Sequence, residues 1–481
     1  MSSNVSVTTP ADPDPGRSGA DSGRAGQFSL DVDERTIGGA FRGWIGKLRS
    51  GEPGALPSVL GLVVLVIIFS QVSDRFLSKY NIGSIPTQGA YIAIIALGIV
   101  FVLLLGEIDL SAGTAGGTCA AIAAVAVSKG SLHHGLPGAM YWSLLVGQLL
   151  AIALAVWLKN YLPAVIVAIG FVLVVTNLTQ HLFIALIAAI CIGTAIGTLT
   201  GWLVAKVGIP SFVVTLALFL AWQGVLQFAL SGKPIDTSNY DLWHNLTYGN
   251  LSPTASWIFI IVVVGLYVGY TLLTSIRAKA AGLAHDAVSL VLLRGGVIAV
   301  VAVVVTILAN TNRNTNAYRI IEGIPVPAAI AIVLMVLATL ALTKTTWGRH
   351  LYATGGNAEA ARRAGIDVVR MKVSAFALCS SFGALGGILL ASSQSSASLD
   401  LGGSNVLLFS VAAAVIGGTS LFGGRGKPRD AIIGAIVITV IPNGLLLKPS
   451  LGPQWQQVIT GVVLLVAAGV DAISRRRAAR T

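Results

Sequence analysis

Glu107 and Asp109, in the stretch LLLGEIDLSAGTAGG, place two carboxylates between two apolar runs. Acids at membrane depth cost several kcal/mol unless they are paired, hydrated or neutralised. Ser111 follows, then Gly113, Thr114, Gly116 and Gly117, which thin the chain. That composition fits an unwound or closely packed helix start, with Ser or Asp as its cap. Two readings stand. Glu107, Asp109 and Ser111 line or gate a path, or they form a cytoplasmic turn with two ordinary surface charges. A proton relay would want further buried acids or histidines, and the later apolar runs offer almost none.

A second constellation is the loop 344–372, the one long basic loop inside the apolar part of the chain. Its centre predicts a short helix over 357–366. Ala, Glu and Arg favour helix, Asn357 caps it and Gly365 stops it. Glu359 and Arg363 stand four residues apart and can pair. Ala358, Ala361 and Ile366 are expected to seat in a partner's groove. The expected docking set is Gly355, Gly356, Asn357, Glu359, Ala360, Ala361, Arg363 and Gly365. A helix docked in this way would transmit a partner's motion as a rigid body. The alternative is a self-contained linker between two half-domains.

Other chemistries find no support in the residues. The pattern GxxxxGK[ST] is absent, and in GGTSLFGGRGKPRD (417–430) Pro428 stands where Ser or Thr would be needed. That stretch reads as a tight inner turn. Six scattered histidines build no nucleophile–base pair. Cys119, Cys191 and Cys379 lie far apart inside apolar runs and read as small apolar filler, not as a disulfide or metal framework. No enzymatic activity, catalytic residue, metal or bound cofactor is therefore expected of this chain. Nor is nucleic acid, because no basic groove carries stacking aromatics.

The elements that position these residues follow from the solvent. Of 481 residues 55% are hydrophobic and only 10% charged, against roughly 25% charged in a soluble domain. So much apolar surface requires lipid. Apolar runs fall at 57–75, 88–105, 110–128, 140–157, 161–175, 181–205, 211–230, 255–275, 288–309, 325–343, 373–392, 406–420, 431–447 and 458–472. The fold class is an all-α polytopic membrane protein with about ten to fourteen spans, some too short for a full crossing. Residues 1–56, rich in Pro, Gly, Ser and Asp, read as a disordered tail, with a possible interfacial segment at Phe41–Leu48. Residues 57–472 form the membrane domain and 473–481 a basic tail. If the chain alternates from a cytoplasmic N-terminus, most cations fall on inner segments, so both termini are expected to be cytoplasmic. The presumed outer loops 231–253 and 309–327 are rich in Asn, Thr and Tyr, and Trp243 and Tyr248 suit an interfacial position. Gly193, Gly197 and Gly201 share one helical face and predict close helix packing, with a weaker echo at Gly383 and Gly387.

Five ordered motifs carry a resemblance. GEIDLSAGT (106–114), GWLVAKVGIPSFVVTLALFLAWQGV (201–225), Gly323-Ile-Pro325-Val-Pro327, WGRHLYATGGNAEAARRAGIDV (347–368) and GGTSLFGGRGKPRDAIIGAIVI (417–438) resemble segments of permease subunits of bacterial ABC importers for monosaccharides, the ribose/xylose/galactose type. Glu107 and Ala217 stand where that family commonly has Gly. The resemblance implies an inner-membrane importer transmembrane domain, usually a homodimer around one path, with a sugar-binding protein outside. It also implies an ABC ATPase of two fused nucleotide-binding domains beneath the 344–372 loop, with ATP used by that partner. The added runs 255–275 and 288–309 resemble the xylose-type branch, as a hairpin that leaves downstream parity unchanged. Rival readings are an ABC permease for a non-sugar solute, of nucleoside or furanone type, and an ion-coupled sugar transporter.

Overall fold

Helix α3 (Ala112–Lys129) is built almost wholly of Ala, Gly, Thr and Val, and every residue from Ala112 to Ala126 is buried. Residues this small let neighbouring backbones approach on several sides, which places α3 at the centre. In the computed structural model, residues 56–281, 288–314, 320–448 and 454–462 are described, with the isolated positions 465 and 469. Residues 1–55 and 470–481 lie outside them, and with them both expected tails and the Phe41–Leu48 segment.

The described helices run in chain order as α1 (Leu56–Val72), α2 (Lys79–Leu104), α3, the one-turn α4 (Leu132–Gly135), α5 (Gly138–Trp157), α6 (Tyr161–Val175) and α7 (Leu182–Trp202). Then come α8 (Ser211–Ala229), α9 (Asp241–Tyr248), α10 (Pro253–Ala280), α11 (Val288–Ala309) and α12 (Val326–Lys344). The remainder are α13 (Thr346–Gly356), α14 (Ala358–Arg363), α15 (Val368–Ser393), α16 (Ser404–Ile416) and α17 (Pro428–Leu446). Among the described residues nine helices are long and apolar enough to cross a membrane, and α1, α6 and α16 are shorter apolar helices. The all-α polytopic class and the mixture of full and short helices are thus as expected.

The chain clusters into two units, one of residues 50–262 and 301–481, the other containing 263–300. In the larger unit α3, α7 and α15 form the centre. A methyl group on Gly197 would strike the Phe376 carbonyl and one on Gly201 would lie 2.7 Å from Val373 Cα. Gly116 and Gly387 face α15 and α3 in the same manner, each against the other helix's backbone. Both predicted glycine faces are therefore packing faces, joining α7 to α15 and α15 to α3. In the smaller unit the side chain of Val268 covers Gly295, so the two expected extra helices lean together there. Only 6% of the most apolar stretch of α10 is buried, against 83% for α2, which marks α10 as a lipid-facing helix.

Two expectations are corrected. The second apolar run seemed to begin at 88, yet α2 begins at Lys79 and carries Pro86 inside it. Ser78 caps it by accepting from the Asn81 amide at 3.3 Å. The polar first turns are stabilised across the bundle, where Asn81 and Asn443 exchange hydrogen bonds of 2.8 and 3.0 Å. Such reciprocal amides let polar side chains sit within a helix pair. Trp243, expected at an interface, is fully buried. Helix α9 folds back onto the end of α15, and Trp243 Nε1 donates to the Ile388 carbonyl at 3.0 Å. With its one polar atom satisfied, the indole has no need of the water interface. The same end is tied by a short antiparallel pairing of Ile235–Asp236 with Ser396–Ala397.

Candidate functional site

The 344–372 loop is two helices. Thr345 Oγ1 accepts from the Gly348 amide at 3.1 Å and opens α13. Asn357 Oδ1 accepts from the Ala360 amide at 2.9 Å and opens α14, the cap the sequence predicted. Gly365, at φ +84°, follows the end of α14 as expected of a left-handed stop. Helix α13 was not legible, because its Gly348, Gly355 and Gly356 read as loop. Close approach is what requires two of them. A methyl group on Gly348 would strike the Leu342 carbonyl, and one on Gly355 the Leu104 carbonyl at the end of α2.

Helix α13 is seated on the core. Leu351 and Thr354 are buried, and Trp347 packs on Phe101 at 5.8 Å while its Nε1 donates to Ser374 Oγ at 2.8 Å. Tyr352 donates to the Gly426 carbonyl at 2.6 Å. Burial and the nearby Asp430 push its phenol up to about 12, so it remains a donor at neutral pH. The expected tight turn at 417–430 thus lies against α13, and the Gly424 amide also donates to the Leu104 carbonyl at 2.8 Å. Of the docking set, Ala361 is buried within the chain's own fold and cannot enter a partner's groove; Gly355 is a packing position. Gly356, Asn357, Glu359, Ala360, Arg363 and Gly365 are exposed. Glu359 pairs with Arg362 at 2.7 Å and with Arg363 at 3.3 Å. These exposed pairs contribute little to stability.

The GEIDLS segment meets this same end. Glu107 forms an ion pair with Lys372, in the second turn of α15. The Ile108 amide donates to Ser211 Oγ at 3.3 Å and Thr215 Oγ1 donates to the Ile108 carbonyl at 3.2 Å, so the start of α8 holds the segment from its other side. Asp109 is fully buried, and its Oδ1 accepts from the Ser111 amide at 2.8 Å and from Ser111 Oγ at 2.7 Å. Ser111 occupies the N-cap position of α3 without bonding the helix through its side chain. These bonds close a tight turn over residues 109–111 just ahead of α3. Asp109→Ala is expected to lower folded-state stability by about 1–2 kcal/mol, because it removes a buried acceptor from two donors, whereas Asp109→Asn keeps the acceptor and loses less. Thermal unfolding of the purified protein in detergent checks this; equal losses in both variants would contradict that role of the acceptor.

The geometry is that of a polytopic membrane protein: a bundle of long apolar helices with two short helices, α13 and α14, set against one end. Residues 163–468 match the family described as the permease component of the branched-chain amino acid transport system. The chain belongs to that family of permease components. It is 30% identical to the xylose transport system permease protein of Escherichia coli over 442 residues, 91% of this chain and 96% of the relative. The same protein of Haemophilus influenzae is 30% identical over 435 residues, 90% and 99% of the two chains. The ribose import permease protein of Escherichia coli is 27% identical over 417 residues, 86% and 92%. No solved structure matches the chain.

Proposed function

We propose that this chain is the inner-membrane subunit of an ATP-driven importer for a monosaccharide, with xylose or a related sugar as the leading substrate. The observation that supports it best is the seating of α13 and α14. The exposed helix α14 follows α13, which bonds to the 417–427 turn through Tyr352 and to α15 through Trp347; that turn bonds to the end of α2, and Lys372 of α15 pairs with Glu107 of the GEIDLS segment. A partner pressing on α14 would move these linked elements as one piece, and with them Glu107, Asp109 and Ser111, which we assign to gating. The partner is an ABC ATPase of two fused nucleotide-binding domains. A second copy of the permease completes the path, and an extracytoplasmic sugar-binding protein delivers the solute at the other end. The cation bias puts α14 and both termini in the cytoplasm. Similarity over nearly the full length of the xylose permeases supports xylose.

A second reading, import of a non-sugar solute such as a small amino acid, draws on the family's own description. Proteoliposomes holding the permease with its cognate ATPase and binding protein separate the two, using a labelled panel of xylose, ribose, glucose and leucine. ATP-dependent uptake of one sugar is the expected result. Uptake of leucine alone would overturn it, and uptake that follows an ion gradient at constant ATP would point to a secondary transporter. In the same vesicles Glu359→Arg is expected to cut uptake and coupled ATPase activity about ten-fold while the subunit still inserts, because the exposed helix would present three adjacent cations in place of paired charges. Normal coupling in that variant would remove α14 from the docking surface.

A further inference from the structure

Away from the α13–α14 end the larger unit holds a half-open cleft of about 300 Å³, at the lower end of the range for small-molecule sites, with Gln88 and Tyr248 exposed. Its walls are unusual for a membrane bundle. Gln88 and Tyr91 come from α2, Tyr248 from α9, Ser393 from α15, Thr439 from α17 and Gln456 from the helical residues 454–462. Phe409 of α16 adds a further aromatic wall. None of the residues lining it is charged.

These polar groups are positioned, not incidental. Gln88 Nε2 donates to Ser84 Oγ at 3.0 Å, and its Oε1 accepts from Asn443 Nδ2 at 3.4 Å, linking it to the buried Asn81–Asn443 pair. Tyr248 donates to the Ser393 carbonyl at 2.6 Å and Thr439 to the Ala435 carbonyl at 2.7 Å. Each hydroxyl has spent its proton on the backbone and keeps acceptor capacity for a guest's hydroxyls. Thr439 is buried while Gln88 and Tyr248 are exposed, so the cleft offers polar groups from its floor to its mouth, and polar side chains on membrane-spanning helices mark solute paths. A zwitterionic amino acid would find no counter-charge here, and an unpaired ion is expensive to enclose. A neutral polyol exchanges hydrogen bonds with water for hydrogen bonds with amides and hydroxyls at small net cost. The rings of Tyr91, Tyr248 and Phe409 offer apolar faces to its C–H groups.

We propose that this cleft, formed by α2, α9, α15, α16, α17 and the helical residues 454–462, is a station for a neutral polyhydroxylated solute of monosaccharide size on its way along the path. The assignment rests on the importer reading and adds to it the place and the chemistry of recognition. It is tested in the assembled transporter carrying Gln88→Cys or, as a second probe, Thr87→Cys. The three native cysteines are buried, so an introduced thiol at the cleft is the reactive one. Labelling by a cationic methanethiosulfonate is followed with and without millimolar D-xylose, D-ribose, D-glucose or L-leucine. At least one sugar is expected to slow labelling about three-fold, as two-thirds occupancy would, and leucine is not. Thr439→Val, which keeps side-chain shape and removes the hydroxyl, is expected to lower sugar uptake without changing assembly. Protection by leucine alone, or by none of the solutes in vesicles whose wild-type complex imports a sugar, overturns the cleft assignment. Protection by a sugar where the wild-type complex imports none sinks the importer reading and leaves the cleft assignment standing.

Discussion

Gly197→Leu is expected to remove nearly all folded protein. The residue lies where α7 crosses α15, and even a single methyl group there would strike the Phe376 carbonyl while lying 2.7 Å from Ala377 Cα. Those atoms are backbone and cannot swing aside as a side-chain tip does. Overpacking a core costs about 1–3 kcal/mol when side chains yield, so a leucine forced between two backbones should exceed about 3 kcal/mol. That lowers the folded-to-unfolded ratio by more than about a hundred-fold, a large share of a marginal stability. The measurement is recovery of monodisperse protein in mild detergent, together with its unfolding midpoint. Gly147→Ala, in α5 where nothing lies within 4 Å, is the control. It should be neutral or stabilising by about 0.5–1 kcal/mol, because alanine favours helix over glycine. Wild-type recovery of Gly197→Leu would show that α7 and α15 do not meet this closely.

The second large effect concerns function. Glu107→Lys is expected to reduce ATP-driven uptake about ten-fold or more, Lys372→Glu to do the same, and the double reversal to recover most of it. Glu107 is 16% exposed and Lys372 24%. Their pair is more enclosed than surface pairs, which contribute about 0–1 kcal/mol, and less than fully buried ones, where loss of one partner costs about 3–5 kcal/mol. A like-charge contact here would push the GEIDLS segment away from α15, breaking the path by which motion at α14 would reach Asp109. The readout is uptake together with transport-coupled ATPase activity, since simple destabilisation would lower both in proportion to protein recovered. A double variant no better than either single one would show that the two charges do not act as a pair.

Helices α13 and α14 divide what local sequence reveals from what it hides. Asn357 followed by Ala-Glu-Ala-Ala-Arg-Arg predicted α14 because capping and helix propensity act within a few residues. The glycine faces of α7 and α15 were legible for the same reason, since spacing of four along a helix is a local property. Helix α13 was hidden because its glycines answer to close approach of other helices, Gly348 to the Leu342 carbonyl at the end of the preceding helix and Gly355 to the Leu104 carbonyl far away in the chain. Ala361 was misread as a partner-facing residue. Periodicity identifies the apolar side of a short helix but does not say whether the chain itself covers it. Trp243 failed likewise, because an indole beside polar residues suits an interface unless a carbonyl inside the bundle accepts its N–H.

What the sequence determined by itself was the solvent, the class and the punctuation. Apolar runs with few charges leave only a helical membrane bundle, because backbone groups in lipid must bond within their own segment. Five ordered motifs carried the family resemblance. The tertiary structure alone decided the partners. Glu107 meets Lys372 across 265 positions, and Asn81 meets Asn443 across 362. It also decided that a half-open uncharged cleft forms between six helical segments spread from residue 87 to residue 456. Such meetings depend on which helix faces are small enough to touch and at what angle they cross, and those are properties of pairs of helices rather than of any one segment.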